Sequence, residues 1–203
     1  MRHAVLALAC LAAAPAGAAA LSDLLMAPRL FAGAEVGSAV VYAETRDVPE
    51  AEGMTVTDVA DGRIRLEVVS PDELRLVRET GDGAAQPVGT FGPGTANPFL
   101  LYFLENNVRA MAEATGGSPF YIRNRIREAL VAADLGAADG AVREVELAPF
   151  AGNPNRGRMG PFADLVIRLR FDPADPARIL ELSADTADGE GGYHERMTLV
   201  AEE

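Results

Sequence analysis

A chain of 203 residues with 18 arginines, no lysine and 30 acids carries a formal net charge of −12, which opposes binding to nucleic acid or anionic lipid headgroups, because both need a basic patch to displace counterions. The lack of lysine excludes Schiff-base chemistry and a P-loop lysine. Cys10 is the single cysteine, so the chain can form no internal disulfide and no cysteine-based metal site.

In chain order, the first segment reads as an export signal. Arg2 and His3 give a short basic start, residues 4–14 an apolar run, and Ala18, Ala19 and Ala20 a small-residue cleavage signature. The apolar run is shorter than the roughly 20 residues that cross a bilayer, and Pro15 and Gly17 interrupt it, which argues against a membrane anchor. Cleavage after Ala20 leaves residues 21–203 as a single exported domain, periplasmic or secreted, with no stable membrane span. Arg2 leaves with the signal, so 17 arginines then face 30 acids. Lipid attachment at Cys10 is disfavoured, since the segment before it is too short for a normal signal.

Residues 38–45, 54–60, 63–69 and 73–79 are short runs rich in Val, Ile, Leu and Thr, and they read as strands with turns at Asp61-Gly62 and Ser70-Pro71-Asp72. In the third run Ile64, Leu66 and Val68 alternate with Arg63, Arg65 and Glu67, the pattern of a sheet wet on one side; Leu74 and Leu76 continue its apolar face. Residues 81–94, rich in glycine and proline, read as a surface loop.

Asn97-Pro98 and Ser118-Pro119 each place a capping side chain before a proline suited to a first helical turn, so two helices start there. In the first, Leu101, Leu104, Val108, Met111 and Thr115 recur at helical spacing, with Leu100 and Ala112 widening the stripe, and Gly116-Gly117 ends it. In the second, Ile122, Ile126, Ala129, Leu130 and Ala133 form the stripe and Gly136 is the expected stop. The short link makes a helical hairpin. Strand alternation returns at residues 142–147, 162–171, 178–184 and 193–200. The expected fold is α+β: a mainly antiparallel, curved sheet of roughly eight strands covered by a central two-helix hairpin.

Few groups carry chemistry. His194 is the one histidine beyond the signal, on a strand face with Arg196 and Thr198 opposite Met197 and Leu199, and it reads as an exposed strand residue. No serine has the surroundings of a nucleophile elbow. Asp185, Asp188, Gly189, Glu190 and Glu195 resemble a calcium loop only loosely, because Ala184 stands where the first ligand belongs and strands flank the segment; an acidic hairpin turn accounts for it. Residues 89–94 lack the spacing of a phosphate loop. No metal and no cofactor is implied.

Phe99, Tyr102, Phe103, Phe120 and Tyr121 gather at the starts of the two helices and are candidates to line a ligand groove, with core packing as the plainer reading. Arg156, Arg158 and Met159, in a loop of turn residues at 152–160, are candidates for partner contact, together with Arg123 and Arg127 on one face of the second helix. The leading functional expectation is a non-enzymatic cell-envelope binding protein holding an apolar ligand between sheet and helices. An accessory subunit that docks another envelope protein through exposed loops comes second. A hydrolase or lyase using Asp185, Asp188 or Glu195 near His194 comes third.

Overall fold

The alternation of residues 166–171 places Ile167, Leu169 and Phe171 on one side of a strand and Val166, Arg168 and Arg170 on the other, and the strands Ala39–Asp47, Val59–Ser70 and His194–Glu202 show a similar division. The computed structural model describes residues 20–50, 53–81, 83–92, 94–133, 135, 142–187 and 192–202. The expected signal, apart from Ala20, lies outside the described residues, as do Cys10, Gly136 and the acidic turn at 188–191.

Eight strands form one antiparallel sheet that does not close into a barrel. They are β1 (Ala39–Asp47), β2 (Val59–Ser70), β3 (Glu73–Thr80), β4 (Ala85–Phe91), β5 (Arg143–Leu147), β6 (Val166–Phe171), β7 (Ile179–Asp185) and β8 (His194–Glu202). Their order is β4-β3-β2-β1-β8-β7-β6-β5. Two meanders of four strands therefore meet where β1 pairs with β8, with Arg46 opposite Glu195.

Three helices accompany the sheet: α1 (Leu21–Leu25), α2 (Pro98–Thr115) and α3 (Pro119–Ala132). Both capping expectations hold. The Asn97 side chain accepts from the Phe99 and Leu100 N–H groups, that of Ser118 accepts from Tyr121 N–H, and Gly116 takes the left-handed conformation that ends α2. In α1, which the sequence did not signal, Leu21 and Leu25 are fully buried, and Leu21 N–H donates to the Ala133 carbonyl at the end of α3.

The inner face of the sheet packs Tyr42, Ile64, Leu66, Leu76, Leu169 and Met197 against Phe99, Leu100, Phe103 and Ile122, all essentially inaccessible to solvent. Each such side chain contributes about 1.5–3 kcal/mol relative to exposure. The Tyr42 and Phe99 rings lie 4.3 Å apart, and the Tyr42 hydroxyl donates to the Ile179 carbonyl. The outer face carries cross-strand ion pairs: one row runs Glu146–Arg168–Asp185–His194, and a parallel one runs Glu144–Arg170–Glu181–Arg196.

Four expectations need correction. Residues 162–164, expected to open a strand, belong to a 3-10 turn over Gly160–Asp164, and β6 begins only at Val166. Asp61-Gly62 is not a turn; it lies inside β2, and residues 54–58 are irregular. Gly62 is there for space, since a Cβ would stand 2.6 Å from Val59 Cγ1 and 3.2 Å from Glu44 Oε2. Residues 85–91, expected in a loop, form β4, where Pro87 is tolerated because β4 is an edge strand. Finally, α2 buries more than the expected stripe: Leu100, Val108 and Met111 go inward as expected, but so do Phe99, Phe103, Asn106, Asn107 and Ala110, while Leu101 and Leu104 stay part-exposed. The two asparagines disguise this face in the sequence, and their partners explain why it is inward.

Candidate functional site

Strand alternation carries Tyr42, Glu44 and Arg46 of β1 inward on one face, so an acid and a base follow an aromatic residue into the core. On the neighbouring strand Glu195 is also turned inward, and Tyr193 is buried just before it. From β3, Arg78 approaches the same place, and α2 lays Tyr102, Asn106 and Asn107 over it. The side chains of Glu44 and Glu195 are fully buried and that of Arg46 nearly so.

Glu195 is filled with donors. Its Oε1 accepts from Arg46 Nε at 3.2 Å, Arg46 Nη2 at 3.1 Å and Asn106 Nδ2 at 2.8 Å; its Oε2 accepts from Asn107 Nδ2 at 3.0 Å and the Tyr193 hydroxyl at 2.6 Å. Glu44 Oε1 accepts from Arg46 Nη2 and from the Tyr102 hydroxyl at 2.9 Å. Its Oε2 faces Arg78 Nε at 3.4 Å, and neither atom makes a hydrogen bond.

Burial dominates the electrostatics. It pushes Glu195 up to about 7, against the pull of Arg46 and the hydrogen bonds from Tyr193 and Asn106. Burial and the Glu44 carboxylate hold Tyr102 up at about 12. Tyr193 lies well above the usual phenol value, through burial and Glu195. Burial acts to lower Arg46, but Glu195 and Glu44 outweigh it and raise it further.

The cluster opens on one side into a cleft of about 260 Å³ between α2 and the β3–β4 edge. Arg46, Arg78, Arg109, Thr55, Thr57, Gln86 and Asn106 supply its polar lining, with Val56, Pro87, Val88 and Tyr102 beside them. Among the described residues no carboxylate is part of the lining itself, though Glu113 accepts from Thr55 and from Val56 N–H behind it. Arg109 stands at its rim, exposed, with Nη2 donating to Thr55 Oγ1.

The residues singled out from sequence distribute differently. Phe99 and Phe103 are fully buried core. Tyr102 joins the charge cluster through its hydroxyl. Phe120 is 72% exposed at the start of α3. Tyr121, Arg158 and Met159 do come together, lining a second cleft of about 200 Å³ between the hairpin turn and the 152–160 loop, with Met111, Ile122 and Asn155. Asn153 Nδ2 donates to the Tyr121 hydroxyl at 2.9 Å, and that bond lowers the phenol's pKa.

Arg156 is turned into its own loop, donating to the Phe150 and Ala163 carbonyls and to Asp164. Arg123 bridges the two helices through Glu105, and Arg127 is exposed. His194 pairs with Asp185 on the outer face, whereas Glu195 lies on the inner one; Asp188 lies outside the described residues. Among the described residues no group of three His, Cys, Asp or Glu side chains could hold a metal ion, and no helix is long and apolar enough to cross a membrane.

Sequence reasoning did not pick out Glu44, Arg46, Arg78, Asn106 or Asn107. The available signal was Tyr42-x-Glu44-x-Arg46, where period-2 alternation forces two charges onto the face that also buries a tyrosine. Comparison of the sequence with models of protein families and with curated proteins finds no match.

Proposed function

We propose that the protein is a non-enzymatic binding protein of the cell envelope, exported through the signal at residues 1–20, and that it takes a small polar ligand at the arginine-lined cleft. The observation that carries this reading is the cleft's lining: three arginines and, among the described residues, no acid in a chain of net charge −12. A buried charge cluster is a costly way to stabilise a fold, because desolvation offsets much of the Coulombic gain, and shifted pKa values beside a cleft are characteristic of functional sites.

The space between sheet and helices is filled by side chains such as Phe99, Phe103 and Tyr42, which favours a ligand at the surface cleft over an apolar one enclosed in the core. A binding role is favoured over a catalytic one because Glu195 is fully buried and does not line the cleft, so it cannot touch a ligand held there. His194 and Glu195 point to opposite faces, so they do not form the acid–base pair that a hydrolase would use.

Native mass spectrometry of the protein from its own envelope fraction tests this. The expected result is an added small-molecule mass that disappears in Arg109→Ala while the melting temperature stays within about 2 °C. A bound mass unaffected by that variant, or a bare chain, removes the reading. A co-eluting polypeptide instead favours an accessory subunit, which the exposed Phe120 beside the Tyr121/Arg158 cleft supports.

A further inference from the structure

Arg78, Glu44, Arg46 and Glu195 form a chain of alternating charge across three strands. The two ends of this chain are unequal. Glu195 has its oxygens filled, whereas Arg78 donates no hydrogen bond to any described residue, has Glu44 as its ion-pair partner, and keeps 21% of its side-chain surface exposed in the cleft. A guanidinium offers five N–H donors in a planar fork that matches an oxyanion. Arg109 and Gln86 line the same cleft.

Two cations and two carboxylates balance when both acids are ionised. An anion on Arg78 then leaves the desolvated cluster with one negative charge too many, which a low-dielectric site penalises heavily. Building on the reading of this cleft as the ligand site, we infer that it takes up an oxyanion on Arg78 together with a proton, and that the proton goes to Glu195.

The surroundings of Glu195 fit that role. Arg46 and Glu44 face it from β1, Tyr193 from the residue before β8, and Asn106 and Asn107 from α2; Tyr102 and Arg78 complete the cluster beyond Glu44. Arg46, Tyr193 and Asn106 favour the carboxylate; burial and Glu44 favour the acid, and burial is the largest influence. Arg109 at the rim is offset by Glu113 one turn along α2, so it does not fix the balance by itself. The 2.6 Å contact between Glu195 Oε2 and the Tyr193 hydroxyl can reverse, a protonated Oε2 donating to the phenol oxygen once the phenol hydrogen turns away.

Acetate and methanesulfonate are suitable probes, being fully ionised monoanions between about pH 6 and 9, and titrations at constant ionic strength are followed through the Arg78 Nε–H resonance. The expected result is a saturable shift with an affinity that falls by up to about tenfold per pH unit above neutrality, as for one proton taken up with each anion. In Glu195→Gln the anion still binds and the pH dependence flattens. Should that variant not fold, calorimetry of the unsubstituted protein in two buffers of different ionisation heat counts the proton directly: one per anion supports the inference and none overturns it.

An Arg78 resonance that neither probe moves also overturns it. If the protein from the envelope nevertheless carries an uncharged compound that Arg109→Ala releases, the anion inference fails and the binding reading stands. If neither probe binds and no compound is released, both fail.

Discussion

At the scale of single residues, Glu195 ties stability to pH. Its pKa is raised from 4.5 to about 7 in the folded protein, with burial as the main cause, so the folded state holds the proton more tightly than the unfolded chain. The stabilisation is complete below the unfolded value and is lost as pH rises through about 7. A shift of that size corresponds to a loss on the order of 3 kcal/mol across the window. Denaturant unfolding of the native protein and Glu195→Gln at about pH 4 and pH 8 isolates it, since any constant packing cost of glutamine cancels between the two conditions. The variant should gain on the native protein by a few kcal/mol as pH rises; equal changes in both would show that folding leaves the Glu195 pKa unshifted. The partners of Glu195 are distant in sequence, Arg46 of β1 and Asn106 and Asn107 of α2, with only Tyr193 close by, so no local pattern revealed them. Gly62 misled for a related reason. A glycine after aspartate suggests a turn, yet here it leaves room for Glu44 of the paired strand.

At the scale of elements, termini were the most legible features because their chemistry is local. Asn97 both caps α2 and, through Nδ2, donates to the Ala177 carbonyl at 3.0 Å, joining the helix to the segment before β7. Asn97→Ala should therefore cost about 1–2 kcal/mol for the cap and more for the part-buried Ala177 carbonyl that loses its donor, measured as a lower denaturation midpoint. A change below about 0.5 kcal/mol would mean that water replaces both interactions. The orientation of α2 was less legible. The expected stripe holds at Leu100, Val108 and Met111, but the inward face extends to Phe99, Phe103, Asn106 and Asn107, and the two amides there meet Glu195. β4 was obscured by Pro87 and Gly89, residues that an edge strand accommodates and a central strand would not.

For the whole molecule, the α+β class and the antiparallel sheet followed from periodicity, whereas strand order depended on long-range pairing that no local pattern encodes. The two meanders are joined by hydrogen bonds between β1 and β8, and the charge cluster straddles that junction through Arg46 and Glu195. A chain ending at residue 192 would lose the junction and the buried carboxylate together. It should show no single cooperative thermal transition by circular dichroism, and retention of a sharp transition would mean that the meanders hold together without β8. The strand that completes the centre of the sheet follows the other seven in sequence. A chain synthesised from its N-terminus carries β1 with one edge open until β8 arrives. Assembly thus depends on whatever keeps the waiting edge from pairing with a neighbouring chain.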